Sequence, residues 1–193
     1  LLVRVGAFYH DIGKLRQPWS FCENQLDGVN IHDDLAPEAS ADIIIAHVRD
    51  GLAFARQYKL PSIIQDFIAQ HHGTFPVLPF YHQALKEGGS QGVDVQTFRY
   101  PGPKPQTRET AILMLADTCE AAIRSTHFSS PQEIGELIEK VIQDRLVDGQ
   151  LDECDLRLRD LAPIQQAFTN ILQGMFHTRI AYPEIPEDAK AKT

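Results

Sequence analysis

Cysteine is scarce in this chain of 193 residues. Cys22, Cys119 and Cys154 stand far apart, odd in number and in no C-x-x-C arrangement. That argues against a disulfide framework and a thiolate zinc site, and fits a reducing, intracellular setting. Basic charge is short as well: 18 Lys and Arg stand against 26 Asp and Glu, for a formal net charge of −8. A basic groove for duplex DNA or RNA is therefore not expected. Apolar runs such as Ala111 to Ala116, six residues long, fall far short of the roughly 20 that a helix needs to cross a bilayer. The chain also has no initiator Met, charged leader or cleavage site at its Leu-Leu-Val-Arg-Val opening, which reads as a piece of a longer protein.

What is present is an ordinary globular composition, 43% hydrophobic and 23% charged, enough for one domain with a real core. Helical spacing dominates and no alternating strand pair stands out, so the expected fold is all-α. A single domain should cover residues 1–182, and a Pro-, Glu- and Lys-rich tail should follow at 183–193. Leu2 to Ile12 reads as a first helix stopped by Gly13, followed by a long irregular connection from Arg16 to Pro37. Pro37 then suits a helix start, with a bend or restart at Asp50-Gly51, and Leu60-Pro61 breaks it. Ile63 to His72 forms the next helix, on an Ile64, Phe67 and Ile68 stripe, with Gly73 as its stop. Gly88 to Pro105, rich in Gly and Pro, is the expected mobile flap. Three amphipathic helices follow: Thr107 to Ser125, Ser130 to about Leu146, and about Leu158 to His177.

Four of the eight histidines, His10, His47, His71 and His72, sit at helix ends or on apolar helix faces. One such histidine is usually a core residue with a backbone partner; four of them alongside aspartates call for more. The dyad His10-Asp11 ends an apolar helix, whereas His32-Asp33 lies in the polar connection, where turn and capping roles suffice. His47 follows Ile43 and Ile44 at four and three residues and so faces inward. His71 and His72 share one pocket only if their helix end points into it. Asp117 continues a stripe with Leu113, Glu120 and Arg124. Imidazole and carboxylate donors without thiolate suit first-row divalent ions, and six such groups serve two ions if one carboxylate bridges. Two metals roughly 3.5–4 Å apart generate hydroxide near neutral pH and clamp an in-line displacement at phosphorus, so phosphoester hydrolysis is the implied chemistry.

The ordered set His10-Asp11-Ile12-Gly13-Lys14, His47, His71-His72 and Asp117 resembles the HD-domain metal-dependent phosphohydrolases. With Phe21-Cys22-Glu23-Asn24-Gln25, Ser40-Ala41-Asp42, His71-His72-Gly73-Thr74 and Arg99-Tyr100-Pro101-Gly102-Pro103, it is similar to the cytoplasmic HD domain of the seven-transmembrane HD receptor family. The resemblance implies a two-metal phosphodiesterase cleaving cyclic di-AMP to linear pApA, with iron as the metal and manganese as the alternative. Asp11 would bridge the ions, His10 and Asp117 hold one, and His47, His71 and His72 the other. Lys14 would face the scissile phosphate, and Tyr100 and Arg124 are the further candidate substrate contacts. The family pattern adds a histidine on a preceding helix; this sequence begins nine residues before His10 and does not include it. The parent chain would be membrane-anchored with this part cytoplasmic, and a homodimer is compatible. An HD hydrolase of another nucleotide, or a non-catalytic cyclic-dinucleotide sensor or dimerisation module, is the alternative. The HD-GYP pattern is not matched, because Gly73-Thr74-Phe75 follows the His pair.

Overall fold

A computed structural model of the chain describes residues 1–25, 30–88, 92–128 and 130–176. Among them are seven α-helices: α1 (Leu2–Tyr9), α2 (Pro37–Gln57), α3 (Ser62–Gln70), α4 (Leu78–Gly88), α5 (Arg108–Arg124), α6 (Pro131–Val147) and α7 (Leu158–Phe176). No strand forms among the described residues; one antiparallel bridge joins Pro76 to Arg99. The all-α expectation therefore holds. The expected tail at 183–193 and the Asp27-Gly28 turn lie outside the described residues.

α5 is the central element. It starts where it does because Thr107 Oγ1 accepts from the Thr110 amide while Thr110 Oγ1 accepts from the Thr107 amide, each 3.2 Å, so two otherwise unpaired helix-end groups are satisfied. On one side Leu113 packs with Ile64 and Phe67 of α3 and with Leu2 and Val5 of α1. On another, Leu115, Cys119 and Ile123 join Ile134, Ile138 and Ile142 of α6 and Leu172 of α7 in the largest apolar cluster. Each fully buried aliphatic side chain there contributes roughly 1.5–3 kcal/mol.

Three expectations about backbone are corrected. The first helix ends at Tyr9, not Ile12; the chain turns at Asp11 (φ −103°, ψ 12°) into a 3-10 turn over Ile12–Arg16, and Gly13 lies inside that turn. α2 runs unbroken through Asp50-Gly51. Both glycines are there for close packing: a Cβ on Gly13 would lie 1.8 Å from the His47 carbonyl oxygen and 2.5 Å from the Gly51 nitrogen. The 3-10 turn thus presses backbone to backbone on α2. Finally, the expected mobile flap is packed down over its described part. Phe98 is 1% exposed, between Ala41 and Ala84. The Arg99 guanidinium donates to Thr74 O at 2.8 Å and to both Asp148 carboxylate oxygens at 2.9 and 2.7 Å. Residues 89–91 of that segment lie outside the described residues.

Candidate metal centre

His10 and Asp11 leave α1, His47 comes from the middle of α2, His71 and His72 follow α3, and Asp117 stands in the third turn of α5. These four elements meet at one point. One donor atom each of Asp11, His47, His71 and His72 lies within 4.8 Å of all the others, and the same holds for His10, Asp11 and Asp117. Asp11 belongs to both groups. Its Oδ1 is 3.4 Å from His47 Nε2 and 3.7 Å from His71 Nε2, while its Oδ2 is 3.2 Å from His10 Nε2. Asp117 lies 3.4 Å from His10 Nε2 and 3.9 Å from His72 Nδ1.

The rings are aimed by their own helices. His10 Nδ1 donates to Ala7 O at 2.8 Å, His71 Nδ1 to Ile68 O at 2.9 Å, and His47 Nδ1 to Ile44 O. A carbonyl only accepts, so each Nδ1 carries the proton, and in the neutral ring Nε2 is left as a bare lone pair. The Nε2 atoms of His47 and His71 face each other at 3.2 Å. His10 Nε2 and Asp11 Oδ1 are buried and make no hydrogen bond. Convergent nitrogen lone pairs and a carboxylate, desolvated and partly unpaired, form an arrangement that cations complete, and backbone-anchored imidazoles are the usual support of such ligands. The donor set fits divalent metal ions.

The protonation pattern has the same origin. Burial disfavours the His47 cation and lowers its pKa to about 4, with His71 adding to the effect. His72 falls well below the ordinary value, first by burial and then by the neighbouring His71 and His47. Burial also opposes charge on His10, but Asp11 and Asp117 outweigh it and raise that pKa to about 10. Asp117 is likewise held below the ordinary carboxylate range, burial being offset chiefly by His10.

An ion held by His10 would displace its proton. Loading the His10, Asp11 and Asp117 group with Mn2+ at pH 8 should release about one proton per ion, and its apparent affinity should fall about tenfold per pH unit below that. His47 and His72, already neutral there, add nothing. A weakly buffered titration with an indicator dye counts the protons, and a release near zero contradicts this pattern. In the metal-free chain the sign is fixed too. The raised His10 value contributes stability fully present below about pH 6.5 and lost as pH rises through about 10.

Lys14, in the 3-10 turn, lies 2.8 Å from Asp11 Oδ2 and 2.6 Å from Glu23 Oε1. Burial works against its ammonium, but Asp11 and Glu23 more than offset this and hold its pKa above the usual value. In the sequence Glu23 stands only within the Phe21-Cys22-Glu23-Asn24-Gln25 string; its position here comes from the 3-10 turn Cys22–Asn24, which no periodicity announces. Tyr100, expected in a flap, is 8% exposed and stacks on His72 at 4.2 Å with rings 22° apart. Arg124 is not brought into the metal cluster: it is half-exposed, pairs with Glu120 at 3.5 Å and stands at the rim. His32 is buried, bonded through Nε2 to Ser20 O at 2.9 Å, while its Nδ1 makes no hydrogen bond. Over the cluster opens a cleft of about 450 Å³, lined among others by Asp11, Lys14, Phe21, Glu23, His72 and Tyr100.

The chain belongs to the HD-domain family, whose model matches residues 1–122. In particular, it is similar to the cyclic-di-AMP phosphodiesterase PgpH of Bacillus subtilis (strain 168), 47% identical over 190 residues, 98% of this chain and 26% of the relative. PgpH of Listeria monocytogenes serotype 1/2a (strain 10403S) is 45% identical over 184 residues, 95% of this chain and 25% of the relative. The crystal structure of the L. monocytogenes PgpH HD domain in complex with cyclic-di-AMP superposes with a TM-score of 0.86 at 43% identity, covering 91% of this chain and 81% of that one. The chain spans about a quarter of the length of the curated relatives it matches.

Proposed function

We propose that this chain is a two-metal phosphodiesterase that hydrolyses cyclic di-AMP to linear pApA, with His10, Asp11 and Asp117 holding one ion and Asp11, His47, His71 and His72 the other. The observation that carries the reading is the sharing of Asp11 between two donor groups whose imidazole Nε2 atoms already point inward. Names of relatives that match 95–98% of this chain support the substrate. When bound, two divalent ions would bring the pKa of water toward neutrality and offset charge gathering at phosphorus. Iron fits the all-nitrogen and oxygen donor set, with manganese as the alternative.

The chain's own residues do the rest. Asp11 fixes the position of both donor groups relative to each other. The Lys14 ammonium, held by Asp11 and Glu23, is placed to donate to a non-bridging oxygen of the scissile phosphate, where negative charge grows. Tyr100 keeps the His72 ring in plane and walls the cleft for a nucleoside, and Arg124 at the rim meets the substrate's outer face. The family resemblance supports placing the chain on the cytoplasmic side of a membrane protein.

The test is anaerobic loading with Fe2+ or Mn2+ and chromatography of cyclic di-AMP converted to pApA. A metal-loaded chain that leaves cyclic di-AMP intact overturns the reading. Lys14→Met should keep both ions and lower kcat by about 10²–10³-fold, the cost of one donor at a developing charge. Loss of metal together with activity would instead assign Lys14 to the assembly of the centre.

A further inference from the structure

Adjoining the cleft over the metal centre at the His72 and Tyr100 pair lies a second cavity of about 430 Å³. It shares His72, Tyr100 and Asp117, together with apolar Val77, Pro79 and Ala121, with that cleft. Its walls are largely apolar, with Phe75, Val77, Pro79 and Ala121, and one charged side chain lines it that no step above employs, Arg145 of α6. The guanidinium stacks 3.3 Å from the centre of the Phe75 ring, and Nη2 donates to Thr118 Oγ1 at 3.2 Å. Nε is buried and makes no hydrogen bond.

Among the described residues, none forms an ion pair with Arg145. Of the acids whose charge reaches it, Asp148 pairs with Arg99 and Asp117 with His10, and Asp144 forms no ion pair with it. Burial lowers the Arg145 pKa to about 10, and Asp144, Asp117 and Asp148 do not make up for it. It lines one cavity with His72, Tyr100 and Asp117, beside the metal centre. A desolvated cation without a counter-ion is costly. If Arg145 only packed α6 against α5, an apolar side chain of the same length would serve better. The guanidinium fork matches phosphate oxygens in geometry and charge, whereas a nucleobase in the same place would leave the charge unmatched.

We infer that Arg145 binds the second phosphate of a dinucleotide substrate, the one not being hydrolysed, while the scissile phosphate lies over Asp11 and Lys14. This rests on the phosphodiesterase reading and deepens it. Arg145 then selects dinucleotides over simple diesters, because a substrate with a single phosphate has nothing to offer it.

The experiment compares cyclic di-AMP with bis(4-nitrophenyl) phosphate, a diester with one phosphate, on the metal-loaded chain and its Arg145→Met variant. The expected result is a KM for cyclic di-AMP raised about 10–100-fold, the scale of a lost hydrogen bond to a charged group, with kcat changed less than about threefold. The loss of kcat/KM for the nitrophenyl diester should be smaller by about tenfold or more. Arg145→Lys, which keeps the charge, should fall between wild type and Arg145→Met, and it carries the comparison if the Met variant shows no cooperative melt. Equal losses on both substrates would make Arg145 a packing residue and overturn the inference, as would an unchanged KM. A wild-type chain that hydrolyses the nitrophenyl diester but neither hydrolyses nor is inhibited by cyclic di-AMP overturns the substrate reading itself, and this inference with it.

Discussion

Asp11→Ala should strip both ions at once and lower turnover of cyclic di-AMP by roughly 10³-fold or more, the scale on which enzymes lose a group indispensable to the chemical step. The cause is geometric. Asp11 is the one residue common to both donor groups, and its two oxygens face different sets of imidazoles, Oδ1 toward His47 and His71 and Oδ2 toward His10. Asp117→Ala removes a donor from one group only, so it should cost one ion and leave the other near full occupancy. Elemental analysis of the two purified variants, read beside product chromatography, separates them. An Asp11→Ala chain that still holds a full equivalent of metal would show that the carboxylate is not shared. The fold should survive, since Asp11 caps no helix with its side chain.

Gly13→Ala should be the most damaging methyl group added at any glycine among the described residues. The added carbon would sit 1.8 Å from the His47 carbonyl oxygen and 2.5 Å from the Gly51 nitrogen, both of them backbone atoms that cannot rotate away. Relief requires the 3-10 turn to lift off α2, at a cost of about 3 kcal/mol or more. For a chain of this size that is a fall in Tm of roughly 6–12 °C. The same displacement would carry Asp11 and Lys14 away from His47, so metal content should drop with it. Gly135→Ala is the opposite case: its new carbon meets only Thr169 Cγ2 at 3.6 Å, inside α6, and should raise stability by about 0.5–1 kcal/mol through helix propensity. A Gly13→Ala protein that melts within about 2 °C of wild type would mean that the turn and α2 are not in such close contact.

The contrast between these two glycines marks what a sequence conveys. α3, α5, α6 and α7 were legible because their buried sides repeat every three or four residues, and the Thr107 and Ser130 caps announce two of the starts. The run at Asp50-Gly51 reads as a bend, since a glycine needed for room looks the same as one needed for a turn. α4 went unseen between Gly73 and Gly88: its opening Leu78-Pro79 suggests a break, and only packing of Phe80, Tyr81 and Ala84 against Ala41 and Phe98 shows the helix face. The supposed flap looked loose because its anchors are remote in sequence; Arg99 is fastened by Asp148, 49 positions on.

At the site, the six donor residues could be listed from their placement on helices, and the structure brings all six together. Their mutual distances could not, because His71 and His72 approach within 4.0 Å of ring separation only through the turn that ends α3. Glu23 and Arg145 were out of reach for a plainer reason. The first lies in irregular backbone, and the second draws its meaning from Phe75 and Thr118 on other elements.

The carbonyl clamps on His10, His47 and His71 also bear on how fast the centre fills. A ring already turned to its bearing spends no time searching rotamers when an ion arrives. The slow events left are the cation shedding its hydration shell and the departure of a proton from His10. An empty centre should then fill at a pace set by those two events, with the helices standing still.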